Sequence, residues 1–204
     1  MSSENSDPSG SGQQQQQQQQ QGAAEIASSP QCGPCIERGL PADSPPLRLC
    51  MSATVVKGFG RGSKLLGIPT ANMDMKEVGS RVHDTKTGIY YGYTMLNETV
   101  YPAVVSVGWN PYFDNDEKTV EPHLLQKFDK DFYGDKLHLL LCGFIRNELN
   151  FSSLEELISA IGDDIKYAEA KFREPEVAAL ATDHPFWTEV AEEERMASSS
   201  TRSG

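Results

Sequence analysis

Of the 204 residues, 38% are hydrophobic, 8% aromatic and 23% charged, and 18 Lys plus Arg against 29 Asp plus Glu leave a formal charge of −11. This length and mix suit one modest domain with polar extensions, and no run approaches the roughly 18 apolar residues of a membrane-spanning helix. Four cysteines, at 32, 35, 50 and 142, are too few for a disulfide-built scaffold. The opening MSSENSDPSG also lacks the basic-then-apolar order of a secretory peptide. A cytoplasmic protein with no membrane partner is expected.

The chain divides by composition into three parts. Residues 1–46 hold five acids and one base and include nine consecutive glutamines, Gln13 to Gln21. Such a segment buries too little apolar surface to offset its ordering entropy, so it reads as a disordered low-complexity extension. Within it, Cys32-Gly-Pro-Cys35 has the spacing of a redox pair but no apolar strand before it, and chance spacing in a tail is the favoured reading. Residues 174–204 hold seven acids and two bases and read as an acidic tail, with a short amphipathic helix over His184 to Met196. The centre, 47–173, has seventeen acids and fifteen bases. A nearly neutral centre offers no basic field, so nucleic acid is not an expected partner.

The central part reads as strands first. Thr54-Val55-Val56 leads into Lys57-Gly-Phe-Gly-Arg-Gly-Ser-Lys-Leu-Leu-Gly-Ile-Pro-Thr-Ala-Asn72. Gly58, Gly60, Gly62 and Gly67, with Lys57, Arg61 and Lys64, let the backbone turn its N–H groups and positive charge toward a phosphate. Neither a Walker loop nor a dinucleotide fingerprint is present, because Ser63 breaks both spacings, and a plain glycine-rich hairpin loop is an equal alternative. In the extended stretch that follows, Thr70 and Asn72 share a face; they suit either a turn or two neutral oxygen ligands of Mg²⁺ beside a phosphate.

Strands continue over Ile89 to Thr94 and Tyr101 to Val107, joined by a short turn at Asn97-Glu98. Trp109 and Tyr112 offer rings for stacking or for core packing. Another strand surrounds Val120 to Phe128. In it Glu121, whose backbone Pro122 keeps extended, either faces water or accepts the proton of a substrate hydroxyl. His123 lacks the spacing of a zinc ligand and reads as structural or surface.

The last strand is the apolar run Leu137 to Ile145. Arg146 and Phe151 flank its junction with a helix, as packing or as the rim of a pocket. Ser152 and Glu155 form a capping box, and Leu154, Leu157, Ile158, Ile161, Ile165, Ala168 and Phe172 make an apolar stripe to cover the sheet. Pro175 ends the helix. Short strands without intervening helices argue for an antiparallel barrel or sandwich.

Taken together, six motifs in order resemble the riboflavin kinases. They are Val55 to Asn72, Thr87 to Gly92, Val105 to Phe113, Thr119 to Leu125, Asp131 to Gly134, and Gly143 to Arg146 continuing through Asn150 to Glu155. The resemblance covers residues 50–173 and implies a mainly β fold, a six-stranded antiparallel Greek-key β-barrel closed by a C-terminal α-helix. It implies transfer of the γ-phosphoryl group of ATP, as co-substrate, to riboflavin, giving FMN and ADP. By position it assigns Glu121 as catalytic carboxylate, and Gly58, Gly60, Gly62, Lys64, Gly67, Thr70, Asn72 and Tyr133 to the nucleotide. Thr70 and Asn72 also go to Mg²⁺ (Mn²⁺ and Zn²⁺ being alternatives), and Arg146 and Phe151 to the flavin. Gln126 and Asn147 stand where His and Pro are common in the family. A monomer is expected, as is the absence of an FAD-forming domain. A silent flavin-binding module and a barrel-shaped interaction protein are the competing readings.

Overall fold

The computed structural model describes residues 48–58, 67–109 and 118–200. The low-complexity extension 1–46, with Cys32 and Cys35, lies outside them, as do Gly60, Gly62, Lys64 and Tyr112. Six strands run β1 Leu49–Val56, β2 Asn72–Met73, β3 Gly88–Leu96, β4 Thr99–Trp109, β5 Lys118–Leu124 and β6 Lys136–Arg146. The helices are α1 Met75–Val78, α2 Leu154–Phe172, α3 Pro175–Asp183 and α4 Pro185–Ser200, and a 3₁₀ turn occupies Gly79–Val82.

The sheet order is β2-β1-β6-β3-β4-β5 with every neighbouring pair antiparallel. Strands β3 to β5 form a meander and β6 returns beside β3, which is the Greek-key order. The two outer strands meet where the Ala71 N–H donates to the Pro122 carbonyl at 2.8 Å, so the barrel is nearly closed. Between β3 and β4, Asn97 and Glu98 take φ of 51° and 60°, the primed hairpin turn that matches strand twist.

Alternation divides the strands into two apolar faces. The interior is filled by residues including Met51, Ala53, Val55, Met73, Val105, Val120, Leu137, Leu139 and Leu141, with Val78 and Val82 closing one end. An outer cluster joins Tyr91, Tyr93, Met95, Leu140 and Cys142 to Ala168, Val177, Leu180, Phe186, Trp187 and Val190. Strand β6 is therefore apolar on both faces, which explains its unbroken Leu139 to Cys142 run.

Three local expectations change. The strand expected over 120–128 ends at Leu124; Phe128 then leaves the ladder and packs edge-on to Tyr101 and Phe132. The α2 cap is one residue later than the expected Ser152–Glu155 box: Ser153 Oγ accepts from the Glu156 N–H at 3.2 Å, and Glu156 Oε2 accepts from the Ser152 N–H at 3.0 Å. The stretch expected as an acidic tail with one short helix over His184 to Met196 holds that helix as α4 and a further one, α3, because its apolar residues have the outer face of the barrel to bury against while most of its acids face out.

Two histidines serve α4, one tying it to β6 and one capping it. His138 on β6 has Nδ1 2.7 Å from Ser52 Oγ and Nε2 2.9 Å from Glu194 Oε1. His184 Nδ1 accepts from the Phe186 N–H at 3.3 Å and so caps the helix as a neutral ring. Burial pushes both below the ordinary imidazole value of 6.5; Glu194 partly opposes this at His138, and the Arg48 charge adds to it at His184. A depressed histidine pKa means the unfolded chain binds more protons, so stability present above 6.5 is lost as pH falls through the folded-state values. Denaturant midpoints should fall between about pH 7.5 and about pH 5.5. The slope should flatten in His138→Gln/His184→Asn; an equal slope in that variant would overturn the assignment.

Candidate active site

The β1–β2 pair sets one wall. Val56 pairs with Asn72, so the chain leaving β1 at Gly58 passes directly against the Asn72 side chain. A Cβ on Gly58 would stand 2.7 Å from Asn72 Cγ, closer than real contacts allow, so any other residue there would displace the Asn72 side chain. Gly67, at φ +74°, turns the chain back toward β2 in a left-handed conformation that favours glycine.

The β2–β5 seam sets the second wall. Besides the Ala71 to Pro122 hydrogen bond, His123 Nδ1 lies 2.8 Å from the Pro69 carbonyl. That carbonyl only accepts, so Nδ1 carries the proton. Along the seam Ala71, Met73, Val120, Pro122 and Leu124 are buried, whereas Thr70, Asn72, Glu121 and His123 are half-buried. The period of two thus sends the polar residues of both segments away from the apolar interior. Glu121 pairs with Ser106 on its other side, and Pro122 is tolerated because β5 ends the sheet order. The structure therefore brings Gly58, Thr70, Asn72 and Glu121 to one seam.

Tyr133 stands in the turn before β6, beside β1. It is 49% exposed, in a turn anchored where the Gly134 N–H donates to Val55 O and the Val55 N–H donates to Asp135 O, both at 2.9 Å.

The β6–α2 junction is a separate wall. Arg146 Nε and Nη2 donate to the two carboxylate oxygens of buried Asp164 at 2.8 and 2.7 Å, and Nη1 donates to Asn147 O at 3.0 Å. The guanidinium also lies 5.8 Å from the Phe151 ring centre. A bidentate pair of this kind fixes orientation strongly. Beside it Leu149, Leu154 and Ile158 are 56%, 50% and 41% exposed. The first turns of the α2 stripe, expected to cover the sheet, instead present an apolar surface next to Phe151.

Lys118 carried no signal in the sequence. It is buried, its ammonium donates to Val82 O, His83 O and Thr85 O at 3.2, 2.6 and 2.6 Å, and it stands 4.9 Å over the Trp109 ring. Burial lowers its pKa, with Asp84 opposing. It ties the 82–85 turn to the start of the strand that carries Glu121; no spacing rule links residues so far apart in sequence. Gln126 is exposed and donates to Lys127 O at 3.3 Å. Among the described residues no three His, Cys, Asp or Glu side chains are grouped to hold a metal ion, and no helix is long and apolar enough to cross a membrane.

Comparison with known proteins adds a second, independent line. A family described as "Flavokinase: Riboflavin kinase" matches residues 46–172. The riboflavin kinase of Homo sapiens is 47% identical over 133 residues, 65% of this chain and 86% of that one. A bifunctional riboflavin kinase/FMN phosphatase of Arabidopsis thaliana is 47% identical over 154 residues, and the match spans 75% of this chain but only 39% of that protein. Among solved structures, riboflavin kinase from Trypanosoma brucei superposes with a TM-score of 0.57 and 26% identity, over 68% of this chain and 88% of that one.

Proposed function

The chain belongs to the riboflavin kinase family, and on that premise we propose a division of labour for transfer of the γ-phosphoryl group of ATP to the ribityl 5′-hydroxyl of riboflavin. The supporting observation is the β2–β5 seam. It sets Thr70 and Asn72, with Gly58 against Asn72, beside the strand that carries Glu121.

In this reading Glu121 is the general base. The 5′-hydroxyl oxygen bonds to the γ-phosphorus, its proton passes to the Glu121 carboxylate, and the bond to the β-phosphate oxygen breaks with its electron pair leaving on ADP. FMN is the product. Backbone N–H groups at Gly58, Gly60, Gly62 and Gly67, with the Lys64 ammonium, cradle the phosphates, and Tyr133 borders the nucleotide. Such positioning and charge stabilisation are most of what phosphoryl transfer requires. Arg146, held by Asp164, presents Phe151 on the flavin side, where exposed Leu149, Leu154 and Ile158 suit a flat apolar ring.

A divalent cation fits the seam. The two ligands proposed there, Thr70 and Asn72, offer a hydroxyl and an amide oxygen, hard neutral donors, and this pair favours Mg²⁺ or Mn²⁺ over Zn²⁺. Thr70 and Asn72 would hold it; when bound it neutralises charge developing on the phosphate oxygens. The protein is further proposed to act as a cytoplasmic monomer of 22.4 kDa, without nucleic acid or membrane.

Incubating purified protein with ATP, riboflavin and each of the three cations should yield equimolar FMN and ADP, with Mg²⁺ or Mn²⁺ more effective than Zn²⁺. Riboflavin binding without FMN would favour the silent module and overturn the kinase reading.

A further inference from the structure

We infer that His123 is a positioning residue for phosphoryl transfer: through Nδ1 it clamps the Pro69 carbonyl and thereby aims the Thr70 hydroxyl relative to Glu121. The inference rests on the kinase reading above and adds a role that neither the resemblance nor the relatives assign.

Strand β2 is two residues long, and its ladder partner is β1, through Val55 with Met73 and Val56 with Asn72. Asn72 is therefore held by β1. Thr70 lies upstream of that ladder, and its segment is tied to β5 at two points, Ala71 N–H to Pro122 O and His123 Nδ1–H to Pro69 O, each 2.8 Å. These anchors bracket Thr70 on both sides. A single hydrogen bond leaves a segment free to pivot about it, whereas two bonds two residues apart fix rotation as well as distance. Removing the His123 bond takes away the anchor before Thr70 and leaves the one after it.

The same strand supplies the base. Glu121 and His123 are two residues apart on β5, both half-buried and on one face. A rigid extended strand thus carries both the carboxylate and the clamp, which couples the base to the hydroxyl proposed to hold the cation. Because Pro69 O accepts and Nδ1 donates, the imidazole need not be charged to do this.

The test compares three substitutions. His123→Leu removes the donor, His123→Asn places an N–H near the Nδ1 position, and His123→Gln places one near Nε2. Outer contacts that orient metal ligands typically change affinity or activity by about 10–100-fold. His123→Leu should accordingly raise the half-activating Mg²⁺ concentration and lower kcat within that range, with KM for riboflavin unchanged. His123→Asn should restore both and His123→Gln should not. Amide hydrogen exchange over residues 68–73 of the unliganded protein should be faster in the Leu variant and near normal in the Asn variant. Wild-type Mg²⁺ dependence and exchange in His123→Leu would overturn the clamp alone. Better rescue by Gln than by Asn would overturn it in favour of direct contact through Nε2. Wild-type protein that forms no FMN would overturn the kinase reading, and with it the clamp's part in the reaction.

Discussion

Glu121→Gln is expected to lower kcat by about 10²–10⁴ while ATP binds almost as before, a range typical for loss of general acid–base help. The amide keeps the shape of the carboxylate and still accepts a hydrogen bond from the 5′-hydroxyl, but it does not take the proton. Folding should be unaffected, since Glu121 is half-buried and no described residue makes an ion pair or hydrogen bond with its side chain. Steady-state FMN formation together with calorimetric ATP titration separates the two effects. A Gln variant that turns over at the wild-type rate would remove Glu121 from the proton transfer.

The second large effect is expected at Gly58. A methyl there would collide with the Asn72 amide. What must move is the end of one side chain rather than backbone, so the fold should shift by less than about 1 kcal/mol. The displaced amide, however, is the oxygen proposed for the cation. Gly58→Ala should therefore weaken the Mg²⁺ dependence of turnover by about 10–100-fold, the range seen when ligand orientation is lost, with a near-normal melting temperature. Asn72→Ala should do at least as much. Combining the two should be no worse than Asn72→Ala alone, because the collision that makes the alanine harmful is then gone, and such non-additivity is the signature of residues in contact. Independent, multiplying losses would show that Gly58 acts through something other than Asn72.

Much of the sheet could be read locally, because strands announce themselves within a few residues. Alternation in Ile89 to Thr94 and Tyr101 to Val107, and the Asn97-Glu98 turn between them, depend on neighbours close in sequence. The sequence leaves the cap of α2 open by one residue because Ser152 and Ser153 are each followed three residues later by a glutamate, and only backbone geometry chooses between them. The 174–204 segment was harder. Its acids dominate the composition; the amphipathic pattern marks the helix with Phe186, Trp187 and Val190, but Val177 and Leu180 look unremarkable until a second apolar face of β3 and β6 exists to receive them.

By itself the amino-acid order determined the strand-rich centre, its glycine-rich turn and the roster of polar residues around it, since these rest on backbone freedom and periodicity. Tertiary structure alone decided which of those residues meet. The seam between Ala71 and Pro122, the Gly58–Asn72 contact, the Arg146–Asp164 pair and the carbonyl cage around Lys118 each join positions 14 or more residues apart. Contacts across such separations form only once barrel closure has met the entropy of bringing the segments together, and no local pattern encodes that.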